Sequence, residues 1–253
     1  MNASENLQTV AERLFRENIC PVPLNEKELQ KVAEFMRLRN ANSELMRRLS
    51  TVELNYEQIR EDTEEAINEA YSAKAAILNS FKSLIDVWAK KGYNREFMFT
   101  FKEEDGESMK SDLSVTLESI NINLNILSKS LKTLGETSAQ MRACSASFLE
   151  IYHESKLAIY AGMLNRDQEE ILDCRAISLQ AHASANESSR SSSLYLGKAQ
   201  SCTKIISLIN ELISESSYSM FLSYGTRSLS PAVLTKKISD VIQKLEYISL
   251  ENN

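Results

Sequence analysis

Glu150 and His153 stand three residues apart, the Glu-x-x-His spacing by which helical bundles hold di-iron centres, because residues at that interval leave one helical face together. Such a centre needs a second pair and two further carboxylates. The other histidine, His182, has Leu179 where that motif places glutamate, so neither a metal nor any other cofactor is expected. Cys144 with His153, and Cys174 with His182, are nucleophile and base by type. Intervals of nine and eight residues along a helix do not by themselves join them. "LGKAQSC" around Lys198 lacks the first glycine and the hydroxyl residue of a phosphate-binding loop. No catalytic residue is expected, and the chain reads as a non-enzyme.

Residues suited to binding are more numerous. Glu61, Asp62, Glu64, Glu65 and Glu69 form an acidic band that reads as a solvated helix face. Arg37, Arg39, Arg47 and Arg48 form one basic patch, and Lys90, Lys91, Arg95 and Lys102 form another. Between the last of these lies "NREFMFTF", whose Phe97, Phe99 and Phe101 alternate as an extended segment requires. They are read as a lid over one end of the fold, with an exposed contact tip as the other possibility. Arg190 stands three residues before Ser193, a spacing basophilic kinases accept, within the run Ser189, Ser191, Ser192 and Ser193.

Composition limits the elements that carry these residues. A chain of 253 residues with only 6 glycines and 3 prolines has few turns, which favours long helices over sheets. Its net charge of −6 has the wrong sign for coating nucleic acid. Neither a signal-type leader nor a membrane-spanning run is seen, and Cys20, Cys144, Cys174 and Cys202 fit no zinc or disulfide pattern. A cytoplasmic, soluble protein is expected.

The apolar spacing predicts an all-α fold. A short amphipathic helix over 1–20 carries Leu7, Val10, Leu14 and Phe15 and ends at Pro21 and Pro23. Asn25 opens a stretch without glycine or proline that reaches Lys91, long enough for one continuous helix, and its heptad seam runs from Leu45 to Val87. A second seam runs from Leu113 to Tyr152, and a third, from Ile171 to Met220, follows a turn capped by Asp167 and Glu170. Gly225, Ser230 and Pro231 separate a last helix over 230–250. The expected architecture is an elongated up-down-up coiled-coil bundle over 25–222, with turns near 92–107 and 162–168. The short N-terminal helix precedes it, and the C-terminal helix packs at one end, where Phe81, Trp88 and Tyr93 gather.

Register follows from size. Facing residues of the first two long helices sum to roughly 199, which sets Ala66, Ala70 and Ala73 against Leu124, Leu127 and Leu131. Those of the second and third sum to roughly 330, which sets the thin Ser178 to Ser192 section against Met141, Phe148 and Tyr152. Ile122, Ile126, Ile205, Leu208 and Leu212 lie off these seams and are expected to widen the buried face.

These features favour a scaffold or adaptor that binds protein partners, a homodimer among them. The alternative is a peripheral membrane protein that resembles BAR domains in architecture, with the N-terminal helix entering a bilayer surface. A component of an α-helical pore-forming toxin, with "FMFTF" as its tongue, is a third reading.

Overall fold

A computed structural model describes the backbone of residues 3–38, 40–93, 103–221 and 231–250, with side chains for 7–38, 40–93, 107–214 and 233–250. Among these the chain forms six helices and no strand: α1 Ala3–Arg16, α2 Glu26–Phe35, α3 Ala41–Lys90, α4 Glu103–Asn165, α5 Gln168–Phe221 and α6 Pro231–Tyr247. The three long helices pack against one another as an all-α bundle. Contacts group into two units, Met1–Glu61 with Ser138–Ser193, and Asp62–Thr137 with Leu194–Asn253.

The first unit contains α1, α2, the start of α3, the end of α4 and the start of α5. Its core follows the seam positions: Leu45, Leu49, Tyr56 and Ile59 of α3, Met141 and Phe148 of α4, and Cys174, Ala181 and Ala185 of α5 are buried. The Nδ2 of Asn55 lies 3.6 Å from Cys144 Sγ, on the expected register of 199. Between α4 and α5 the separation is set by serines. Ser138 Oγ donates to Ser192 O at 2.8 Å, and Ser192 Oγ returns a 2.8 Å bond to Ser138 O. Ser145 Oγ donates to Ala185 O at 2.9 Å and Ser188 Oγ to Met141 O at 2.7 Å. Serine is small enough for two helix backbones to approach this closely, and each hydroxyl finds a carbonyl, so burial leaves it satisfied.

The α4–α5 turn is short for local reasons. Arg166 adopts a left-handed φ of 59°, which directs Asp167 N–H to Gly162 O at 2.9 Å and closes α4. Asp167 Oδ1 then accepts from Glu170 N at 3.1 Å and opens α5. Gly162 is required by space: a Cβ there would lie 3.0 Å from Ile171 Cγ1.

The expected continuous helix from Asn25 is broken between Phe35 and Ala41. No glycine or proline marks the break, because tertiary hydrogen bonds hold it. Asn165 Nδ2 donates to Met36 O at 3.2 Å, relieving the end of α2, and Glu170 Oε1 accepts from Asn42 N at 2.9 Å, capping the start of α3. Asn25 and Glu28 form a reciprocal capping box at the start of α2. In α1, Val10 and Leu14 are buried, and Arg13 Nη2 donates to Leu164 O at 2.9 Å.

The second unit contains the rest of α3, α4 and α5 together with α6. Ala66, Ala70 and Ala73 are buried with Leu124 and Leu127, the small-to-large pairing expected from sequence. Ser80 lies 3.4 Å from Ser119, and Lys91 Nζ 2.9 Å from Ser108, again on the 199 register. Gly92, at a φ of 80°, ends α3. The helix α6 is anchored on α3 and α5, and Ile205 and Leu212 of α5 are buried in this unit. Ile122, also expected to widen the buried face, is instead 64% exposed, because the buried side of α4 here runs through Ile120, Leu124 and Leu127. Trp88, Phe81 and Tyr93 are buried near the end of α3.

Candidate functional site

In the first unit, polar bonds space α3 and α5 apart. Asn42 Nδ2 donates to Asp173 Oδ2 at 2.7 Å, Gln180 Nε2 to Glu53 Oε1 at 2.7 Å, and the Tyr56 hydroxyl to Glu187 Oε1 at 3.1 Å. Burial, ahead of that carboxylate, pushes the Tyr56 hydroxyl above its usual pKa. The spacing leaves an open groove of about 550 Å³ lined by Asn42, Ser43, Met46, Arg47, Ser50, Asp173, Ala176 and Ile177. Ala176 belongs to a stripe on α5 that steps by four, three and four residues: Leu172, Ala176, Leu179 and Ala183, all exposed. Leu172 is 63% and Leu179 75% exposed, while Leu54 of α3 is 74% exposed. An apolar stripe at helical spacing is thus left in water beside a groove.

The positions singled out by sequence are dispersed. Arg47 lines this groove and pairs with Glu44 at 2.8 Å, a bond that holds the Glu44 carboxyl below its ordinary range. Arg48 does not join it in a basic patch: its guanidinium is bonded to Glu154 at 2.5 Å and lies 3.6 Å from Glu150, tying α3 to α4. Arg37 lines a separate cavity of about 440 Å³ beside the α2–α3 break, together with Asn165, Asp167 and Glu170. Lys90 is exposed in the second unit, where Lys91 pairs with Asp112 at 2.6 Å. Phe97, Phe99, Phe101, Arg39, Arg95 and Lys102 lie outside the described residues, as does the lid reading built on them. Ser193 is exposed and donates to Ser189 O at 3.2 Å, but Ser192 is buried against Ser138, so a kinase cannot reach it in the folded chain.

Glu150 is committed to Arg48, and among the described residues no three metal-ligating side chains group together. Burial raises the Cys144 thiol, and Cys174 is pushed up to about 12 by burial with Glu170 and Asp173 beside it. Both thiols therefore stay protonated near neutral pH. Lys198 is buried within α5 and donates to Leu250 O. Sequence reasoning missed that His153 and His182 both lie against Tyr152, with ring centroids 5.2 and 4.8 Å away. It also passed over Leu172 and Leu179, which fall off the buried seam; their spacing with Ala176 and Ala183 was the available signal.

No family model, no curated protein and no solved structure matches the chain. Among the described residues no helix is long and apolar enough to cross a membrane.

Proposed function

We propose that the chain is a non-enzymatic scaffold or adaptor whose first unit docks an amphipathic helix of a protein partner along the α5 stripe and the neighbouring α3–α5 groove. The observation that carries this reading is the exposure of Leu172 and Leu179 one heptad apart, with Ala176 between them lining the groove. Full burial of a leucine side chain is worth about 2 kcal/mol, so covering two of them, with small residues between to admit close approach, supplies an anchor of the kind helix-in-groove complexes use. Arg47, Asp173 and Glu44 at the edge provide charges for orientation. A copy of the chain itself is within this class of partner.

The bilayer alternative receives less support. Val10 and Leu14, two residues of the apolar face assigned to lipid, are buried within the first unit, and Phe15 alone of that set is fully turned to water. Four free, buried thiols favour a reducing compartment, and we place the protein in the cytoplasm on that basis. The test is the pair Leu172→Glu and Leu179→Glu. Both side chains are exposed, so helicity and melting should be retained while partner binding falls at least tenfold; retention of every interaction of the parent chain would end the reading.

A further inference from the structure

Along α5 of the first unit the exposed stripe of Leu172, Ala176, Leu179 and Ala183 runs between two edges of unlike charge. On the side of α3, Asp173, Gln180 and Glu187 stand seven residues apart and so share one face of the helix. Asp173 accepts from Asn42 at 2.7 Å, Gln180 donates to Glu53 at 2.7 Å, and Glu187 accepts from the Tyr56 hydroxyl at 3.1 Å. This seam therefore carries one carboxylate per heptad, Asp173, Glu53 and Glu187, over about 21 Å. Each of these bonds comes from an amide or a phenol, which satisfies an oxygen and leaves the full negative charge in place. Arg47 and Arg60 of α3 are paired within their own helix, with Glu44 at 2.8 Å and Glu57 at 3.0 Å. The opposite edge is cationic. Arg175 is exposed seven residues before His182, whose ring lies 4.8 Å from that of Tyr152 of α4, and Lys156 Nζ sits 4.1 Å over the same tyrosine.

An occupant must match both the stripe and its edges. The α5 helix of a second copy matches only one of the two. Laid antiparallel about a two-fold axis, Leu172 meets Ala183 and Ala176 meets Leu179, a fit of large to small, but the two acidic edges then lie together. Laid parallel, the acidic edge meets the cationic one, but Ala176 meets Ala176 and leaves a gap. We infer that the occupant is an amphipathic helix of a different protein, with leucine-sized residues along its apolar stripe and a row of lysine or arginine at seven-residue intervals on the edge that faces α3. The inference rests on the docking face proposed above and names the chemistry of its partner. An exposed ion pair changes affinity by up to about fivefold, so a row of three gives about tenfold, and the gain fades as salt shortens the Debye length to about 3 Å at 1 M.

Two synthetic three-heptad helical peptides with the same leucine stripe provide the test, one with lysine and one with glutamine at three successive heptad positions of one edge, the other edge being glutamine in both. Their affinity for the full chain is read by fluorescence anisotropy at low salt and at about 1 M salt. The full-chain variant Glu53→Gln, Asp173→Asn, Glu187→Gln removes three charges and keeps an oxygen to accept from Gln180, Asn42 and Tyr56, so its helicity and urea midpoint should match the parent's. At low salt the lysine peptide should bind the parent about tenfold more tightly than the glutamine peptide, and the gap should close in the triple variant and at high salt. Leu172→Gln, which adds no charge, should weaken both peptides. Equal affinity of the two peptides for the parent, or a gap that survives in the triple variant, overturns the inference, and the docking face stands if Leu172→Gln still weakens both. Failure of both peptides to bind, or binding indifferent to Leu172→Gln, overturns the docking face along with it.

Discussion

Replacing Ser192 by valine should destabilise the first unit although valine is the more apolar residue and the position is buried. Ser192 Oγ stands 2.8 Å from Ser138 O and 3.3 Å from Ser138 Oγ, so a methyl carbon placed there has no room without separating α4 from α5. Loss of the hydrogen bond costs about 1 kcal/mol. Overpacking adds about 2 kcal/mol, for a total near 3 kcal/mol. Ser192→Ala removes the bond without the clash and should cost about 1 kcal/mol, because Ser138 O keeps its helical donor. Alanine at all four bridging serines, Ser138, Ser145, Ser188 and Ser192, should cost about 4 kcal/mol, a large share of a typical domain's stability. Urea denaturation followed by far-UV circular dichroism measures these differences. The single tryptophan, Trp88, reports on the second unit and separates its transition from that of the first. A Ser192→Val chain as stable as the parent would refute the hydroxyl-width spacing of α4 and α5.

Arg166→Gly should raise stability by about 1 kcal/mol, seen as a higher urea midpoint, since only glycine adopts a φ of 59° without cost from a Cβ. Gly162→Ala should lower it by about 1 kcal/mol or more, and should cost less in an Ile171→Ala background, where the Cγ1 at 3.0 Å is gone. Alkaline stability should reflect the buried thiols. Their folded pKa values, about 12 for Cys174 and about 11 for Cys202, exceed the ordinary 9.0, so their contribution is intact below pH 9 and is lost as pH rises toward those values. Each thiol should contribute at most about 1.4 kcal/mol per pH unit in that window, and Cys174→Ala should flatten the fall in urea midpoint above pH 9.

The three long helices, the α4–α5 turn and both registers were legible because they depend on spacing and size. Thin residues such as Ala70 and Ser188 fit only opposite bulk or close backbone, and this fixes how helices slide. The break before Ala41 was not legible, since Asn165 and Glu170, which hold it, are far away in sequence. Arg48 looked like surface charge for a similar reason: nothing local marks Glu154 as its partner. Ile122 and Ile205 carry the same apolar side chain, yet one is exposed and the other buried, a difference set by neighbours distant in sequence. The exposed α5 stripe was written in the sequence as a second heptad, hidden by the stronger buried seam that shares the helix.

In the proposed function a protein partner docks on the α5 stripe of the first unit. A photo-crosslinking amino acid at Leu179, compared with the same group at Ile122, tests it directly, because the two sites are apolar and similarly exposed at 75% and 64%. Docking there predicts one discrete adduct from Leu179, lost on adding Leu172→Glu, and none from Ile122. Equal crosslinking at both positions, or an adduct at Leu179 unaffected by Leu172→Glu, would contradict it.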